Sequence, residues 1–158
     1  VFSWAFTLLG PERSTGLQLA QRKFAFLASD LTDSVLETGR AGIYPTTALE
    51  PVPTPLRSNW TKQTGATVQI ADPVRNLVRF RRLNLLGNWP FRQTFQVIFC
   101  RNVMIYFDEP TKEVLVDRMA EQLEPGGYLY IGHSERLPGS SGRHFEMVGK
   151  TIYRKRDE

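Results

Sequence analysis

Four polar residues stand just past apolar runs in this chain, and their types suit the binding of a nucleoside more than hydrolysis. Asp30 follows Phe24-Ala25-Phe26-Leu27-Ala28-Ser29, Asn84 follows a run from Leu77 to Leu83, and Arg101-Asn102 follow Phe95-Gln96-Val97-Ile98-Phe99-Cys100. A carboxylate at a strand end can accept hydrogen bonds from both vicinal hydroxyls of a ribose. Asp30 has that position, and it has also the position of a cap for a helix starting near Thr32. The Asn84 amide can donate and accept at once, as an adenine edge requires, with leucines on both sides to sandwich the ring; a turn-forming Asn is the other reading. Arg101 is a natural anchor for a carboxylate at the mouth of a crevice, or else a member of a loop ion pair.

Other reactive side chains offer less. Cys100 lies inside an apolar run with no base beside it, which favours a buried thiol over a nucleophile. His133-Ser134-Glu135 has catalytic letters, but neighbours on one loop cannot form a relayed triad. One cysteine and two histidines provide no metal-ligand spacing. The arginines between Arg75 and Arg82 read as a solvated strand edge, because no aromatic residues interleave them as a single-strand nucleic-acid groove would require.

The elements that must position these residues follow from patterning. With 158 residues, 41% hydrophobic and 11% aromatic, the chain can bury the core of one domain without disulfides. A net charge of +4 is mildly basic, and no apolar run approaches the roughly 18 residues of a membrane span. A reducing cytoplasm is the expected compartment. The spacing predicts a short buried helix over residues 1–9, then a polar loop through Gly16. It further predicts strands ending at Asp30, Asn84 and Cys100, and a helix from Asp108 with Leu115, Met119 and Leu123 inward. That helix is expected to stop at Pro125-Gly126-Gly127, before a strand at Tyr128-Leu129-Tyr130-Ile131, and an antiparallel pair should close the chain. Prolines at 45, 51, 53 and 55 argue against a helix or a central strand there, and residues 45–76 read as an inserted β-subdomain. Alternating strands and helices mean a doubly wound α/β sheet, whose ligands bind beyond the carboxyl ends of the strands.

Ile98-Phe99-Cys100-Arg101-Asn102-Val103-Met104-Ile105-Tyr106-Phe107-Asp108 resembles the signature of the CheR-type chemotaxis receptor methyltransferases. Ala28-Ser29-Asp30, Gly42-Ile43-Tyr44, Leu83-Asn84-Leu85-Leu86, Pro125-Gly126-Gly127-Tyr128-Leu129, Gly132-His133-Ser134-Glu135 and Thr151-Ile152-Tyr153 join it in the family's order. The resemblance implies a Rossmann-like sheet of the class I S-adenosylmethionine-dependent methyltransferases, with 1–158 a part of the catalytic domain. It implies methylation of glutamate side chains on the cytoplasmic domain of methyl-accepting chemotaxis receptors, leaving S-adenosylhomocysteine. By position Asp30 would hold the ribose, Asn84 and Leu85 the adenosine region, and Cys100, Arg101 and Asn102 the cofactor's other side. Arg101 and Tyr106 would face the transfer site. Neither a metal, nor nucleic acid, nor insertion into a membrane is implied.

The family's first strand and acidic turn, spelled roughly Ser-Thr-Gly-Glu-Glu, do not precede Val1 in the sequence given. The expectation is a sheet lacking its first strand, weak cofactor binding by this stretch alone, and strand exchange between two copies. Two other readings stand beside it: a non-catalytic protein-interaction module on the same fold, and an RNA methyltransferase using the basic stretch.

Overall fold

A computed structural model describes every residue except Lys23 and Glu158. The chain is α/β and divides into two compact units, Val1–Asn84 and Leu85–Glu158.

In the first unit, helices α1 (Phe2–Leu9) and α2 (Arg13–Ala20) precede strand β1 (Phe26–Asp30) and helix α3 (Asp33–Ala41). Next come β2 (Ile43–Pro45), a 3-10 turn at Thr46–Leu49, α4 (Thr54–Trp60), β3 (Thr61–Thr64), β4 (Thr67–Ile70), α5 (Asp72–Arg75) and β5 (Val78–Arg82). Strands β1 and β5 pair in parallel with Asp30 opposite Arg82, so both strands end at the same level. Gly39 of α3 lies on this pair against Phe80: a side chain there would bring its Cβ within 2.7 Å of Phe80 Cδ1. A second, antiparallel sheet has the order β2-β4-β3. The core gathers Phe2, Ala5, Phe6 and Leu9 of α1 around Trp60, Val68, Ile70 and Val74. Trp60 is fully buried, and its Nε1 donates to the Gly10 carbonyl at 2.8 Å, which satisfies the indole's single donor.

Three expectations change here. The polar loop through Gly16 is helix α2, held because Gly16 sits under the Trp60 ring, where only a glycine fits. A helix does form among the prolines, since Pro55 occupies the first turn of α4, where its missing N–H has no partner to lose. Strand β1 starts at Phe26 rather than Phe24. Thr32 is the N-cap residue of α3 but makes no side-chain cap bond.

The second unit contains β6 (Phe95–Cys100), a 3-10 turn at Met104–Tyr106, α6 (Glu109–Gln122), β7 (Leu123–Ile131), a 3-10 turn at Gly139–Arg143, β8 (Phe145–Gly149) and β9 (Ile152–Lys155). Its sheet has the order β6-β7-β9-β8, with β6 and β7 parallel and the other pairs antiparallel. Asp108 caps α6 by accepting the Thr111 N–H at 3.0 Å, and Pro110 lies in the first turn. Leu115, Val116, Met119 and Ala120 are buried from α6, beside Leu123, Leu129 and Ile131 of β7. The helix stops at Gln122, earlier than the Pro-Gly-Gly signal suggests. Strand β7 passes through Pro125-Gly126-Gly127 with Gly126 at φ 72°, and these residues bulge from its pairing with β6, where Phe95 is opposite Leu123 and Val97 is opposite Tyr128.

Candidate functional site

At the carboxyl end of the β1–β5 pair, Asp30 is half-buried and one carboxylate oxygen accepts the Thr32 N–H at 2.8 Å. The chain itself bridges the two strand ends, for the Leu83 N–H donates to the Asp30 carbonyl at 3.1 Å. Asn84 follows directly and is exposed. The first unit therefore brings a carboxylate and an amide side chain to one strand end. The helix-cap reading of Asp30 is partly realised: it supports the entry to α3 through a main-chain N–H and keeps its second oxygen without a protein partner among the described residues.

Leu85 opens the second unit, half-buried on a loop fastened to α6. Its carbonyl accepts from Arg118 Nη1 at 2.9 Å and from Trp89 Nε1 at 3.1 Å. The Arg118 guanidinium also reaches the Gly87 carbonyl and stacks over Trp89 at 4.5 Å from the ring centre. This clamp fixes the backbone of 85–89 and leaves an apolar cavity of about 340 Å³ beside Leu85, Leu86, Val114 and Leu115.

Cys100 ends β6, opposite Ile131 of β7, and is buried. Burial first, and then the charge of Glu135, push its thiol up to about 12, so it stays protonated at neutral pH. Arg101 and Asn102 are exposed on the loop beyond, and Asn102 takes the left-handed conformation at φ 59°. Tyr106 projects from the following 3-10 turn, 79% exposed. Cys100, Arg101, Asn102 and Tyr106 thus share one strand end and one loop.

The organiser of that loop is a residue that sequence reasoning set aside. Glu135 is 5% exposed, and its carboxylate accepts four main-chain N–H groups: Asn102 at 2.9 Å, Val103 at 2.9 Å, Met104 at 2.8 Å and Gly132 at 2.5 Å. Burial raises its pKa, but the four amides outweigh burial and hold the carboxyl below its ordinary value. An acid three residues beyond a strand-end glycine is the available signal, masked by the catalytic lettering of His133-Ser134-Glu135. Among the described residues, no three His, Cys, Asp or Glu side chains group as a metal site, and no helix is long and apolar enough to cross a membrane.

The family model described as CheR methyltransferase, SAM binding domain, matches residues 1–154. A probable chemotaxis protein methyltransferase of Rhizobium etli is 43% identical over 140 residues, 86% of this chain and 52% of that protein. Chemotaxis protein methyltransferase 2 of Pseudomonas aeruginosa is 39% identical over 132 residues, 80% of this chain and 47% of that protein. The chemotaxis protein methyltransferase of Salmonella typhimurium is 36% identical over 157 residues, 96% of this chain and 52% of that protein. The chain spans about half the length of the curated relatives it matches. A signature that runs off β6 into an anchored loop, within a family match over nearly the whole sequence, has one consequence: the chain belongs to the CheR methyltransferase family, as its SAM-binding domain.

Proposed function

We propose that this chain supplies the cofactor and transfer residues of a protein-glutamate O-methyltransferase acting on the cytoplasmic domain of chemotaxis receptors. The observation that carries the reading is the loop from Arg101 to Tyr106, fixed at the end of β6 with its two reactive side chains in solvent.

The donor set fits S-adenosylmethionine. Asp30 keeps an uncommitted carboxylate oxygen at a parallel strand end for the ribose hydroxyls, and Asn84 and Leu85 have the amide and apolar surface an adenine requires. Cys100, Arg101 and Asn102, at a strand end of the second unit, are the further residues that the family resemblance assigns to the cofactor. When bound, the cofactor would supply an electrophilic sulfonium methyl, which an acceptor carboxylate would take up as a methyl ester with S-adenosylhomocysteine as the leaving group.

A glutamate side chain, with an ordinary pKa of about 4.3, is already ionised at pH 7, so no general base has to be found among these residues. Their task is alignment and exclusion of water. The Arg101 guanidinium can hold the incoming carboxylate in its planar fork, and the Tyr106 ring can lie against positive charge. The protonated state of Cys100 keeps a competing thiolate out of the site. A cytoplasmic location follows from a substrate domain on that side of the membrane.

The test is transfer of labelled methyl from S-adenosylmethionine to a receptor cytoplasmic fragment, read as alkali-labile methanol. Loss of label when receptor glutamates are changed to glutamine is the expected outcome. Cofactor and receptor binding without any ester would overturn the enzyme reading in favour of an interaction module.

A further inference from the structure

Arg101 and Tyr106 make no side-chain hydrogen bond or ion pair with any described residue, so their placement depends on the backbone that carries them. That backbone is held at one point. Asn102 is left-handed and Val103 right-handed, at φ −118° and ψ −43°, a succession that turns consecutive N–H groups towards a common acceptor. The acceptor is Glu135: one oxygen receives Val103 and Met104, and the other receives Asn102 and Gly132. No Lys, Arg or His pairs with this carboxylate among the described residues. A buried negative charge is costly without compensation, and here main-chain dipoles alone compensate it. A carboxylate is also the one side-chain group that only accepts, on two oxygens, so four converging donors suit it and no amide or alcohol.

We propose that Glu135 is a positioning residue for methyl transfer, its carboxylate fixing the main chain at Asn102, Val103 and Met104 so that Arg101 and Tyr106 project from a rigid loop. The proposal rests on the methyltransferase reading above for its catalytic half; its structural half stands independently. Glu135 itself does not face substrate: its carboxylate is spent on amides and buried beneath the loop. The loop's shape is therefore encoded 31 to 33 positions downstream of the amides that Glu135 holds.

The experiment compares Glu135→Gln and Glu135→Asp with the unsubstituted protein at full length. Glutamine has the same shape but turns an NH2 group towards the amides, leaving at least one N–H facing a donor. Amide exchange at Asn102, Val103 and Met104 should speed up by roughly tenfold or more, because a lost bond to a charged acceptor shifts local opening by that order. Exchange at Leu129, buried within β7, should not change. The methyl-transfer rate per bound S-adenosylhomocysteine site should fall by on the order of 100-fold, as misplacement by about 1 Å can cause, with kcat falling more than KM. Counting bound sites removes any unfolded fraction from this comparison. Glu135→Asp keeps the charge and should recover part of both losses; if Glu135→Gln does not fold, Glu135→Asp alone carries the exchange and rate measurements. Unchanged exchange at the three amides, or a normal rate per bound site, would overturn the proposal. An unsubstituted protein that transfers no methyl group while exchange still responds to Glu135 would overturn the methyltransferase reading and the catalytic half, not the anchoring.

Discussion

Gly132 faces Asn102 so closely that no side chain fits between them. An added Cβ at Gly132 would overlap Asn102 Oδ1, and it would lie 2.9 Å from Asn102 N and 2.6 Å from Glu135 Oε2. Gly132→Ala must therefore push the loop off Glu135. The expected cost is about 1–3 kcal/mol of stability, typical of overpacking a buried site. Urea denaturation measures it, and faster amide exchange at Asn102 should accompany it. Stability equal to that of the unsubstituted protein would show that the loop gives way freely.

Asp30→Asn separates the two tasks of that side chain. The amide oxygen can still accept the Thr32 N–H, but its NH2 group cannot accept from a ribose hydroxyl. Binding of S-adenosylhomocysteine should weaken by on the order of 10–100-fold, the value of one hydrogen bond to a charged group. Titration calorimetry reads it directly, and unchanged affinity would remove Asp30 from the cofactor site.

Much of this architecture is legible in the residues, for physical reasons. Strand β6 is apolar but for Gln96 and the start of α6 bears a good N-cap, so both can be located from local chemistry. Helix α2 is hidden, because Arg13 to Ala20 is largely polar and contains Gly16; its place is set by the Trp60 ring, 44 positions away. Strand β7 continues through Pro-Gly-Gly because those residues bulge out between two pairings with β6, Leu123 with Phe95 and Tyr128 with Val97, and no local propensity encodes pairing with a distant strand. Glu135 escapes for a similar reason. Its partners are main-chain amides, which every residue type possesses, so its bonds leave no pattern in the sequence.

Cys100 should behave as a thiol with almost no thiolate. A shift from 9.0 to about 12 lowers the thiolate fraction near neutral pH by roughly 1,000-fold, and alkylation at pH 8 should be slower than in denatured protein by at least that factor. The folded state keeps a proton that the unfolded state releases above pH 9. This contribution is complete below about pH 9 and is lost as pH rises towards 12. Cys100→Ala should flatten that part of the alkaline denaturation curve. Rapid alkylation of the native protein would show that the strand end opens.

Trp60→Phe keeps most of the ring and loses the indole donor to the Gly10 carbonyl. Stranding that carbonyl should cost the first unit about 1–3 kcal/mol. Chemical denaturation followed by near-ultraviolet circular dichroism checks it, and a change below about 0.5 kcal/mol, the usual range for surface substitutions, would mean that water replaces the indole.

The dependence of Asn102 to Met104 on Glu135 sets a limit on transplantation. A designer who copied the stretch from Arg101 to Tyr106 onto another parallel strand end would carry over the reactive side chains without their shape, since the main chain from Asn102 to Met104 is held by its bonds to Glu135. The smallest portable unit has two pieces, the loop together with Gly132 and Glu135 just beyond the neighbouring strand. A graft of either piece alone would contain the right letters in a conformation that nothing holds.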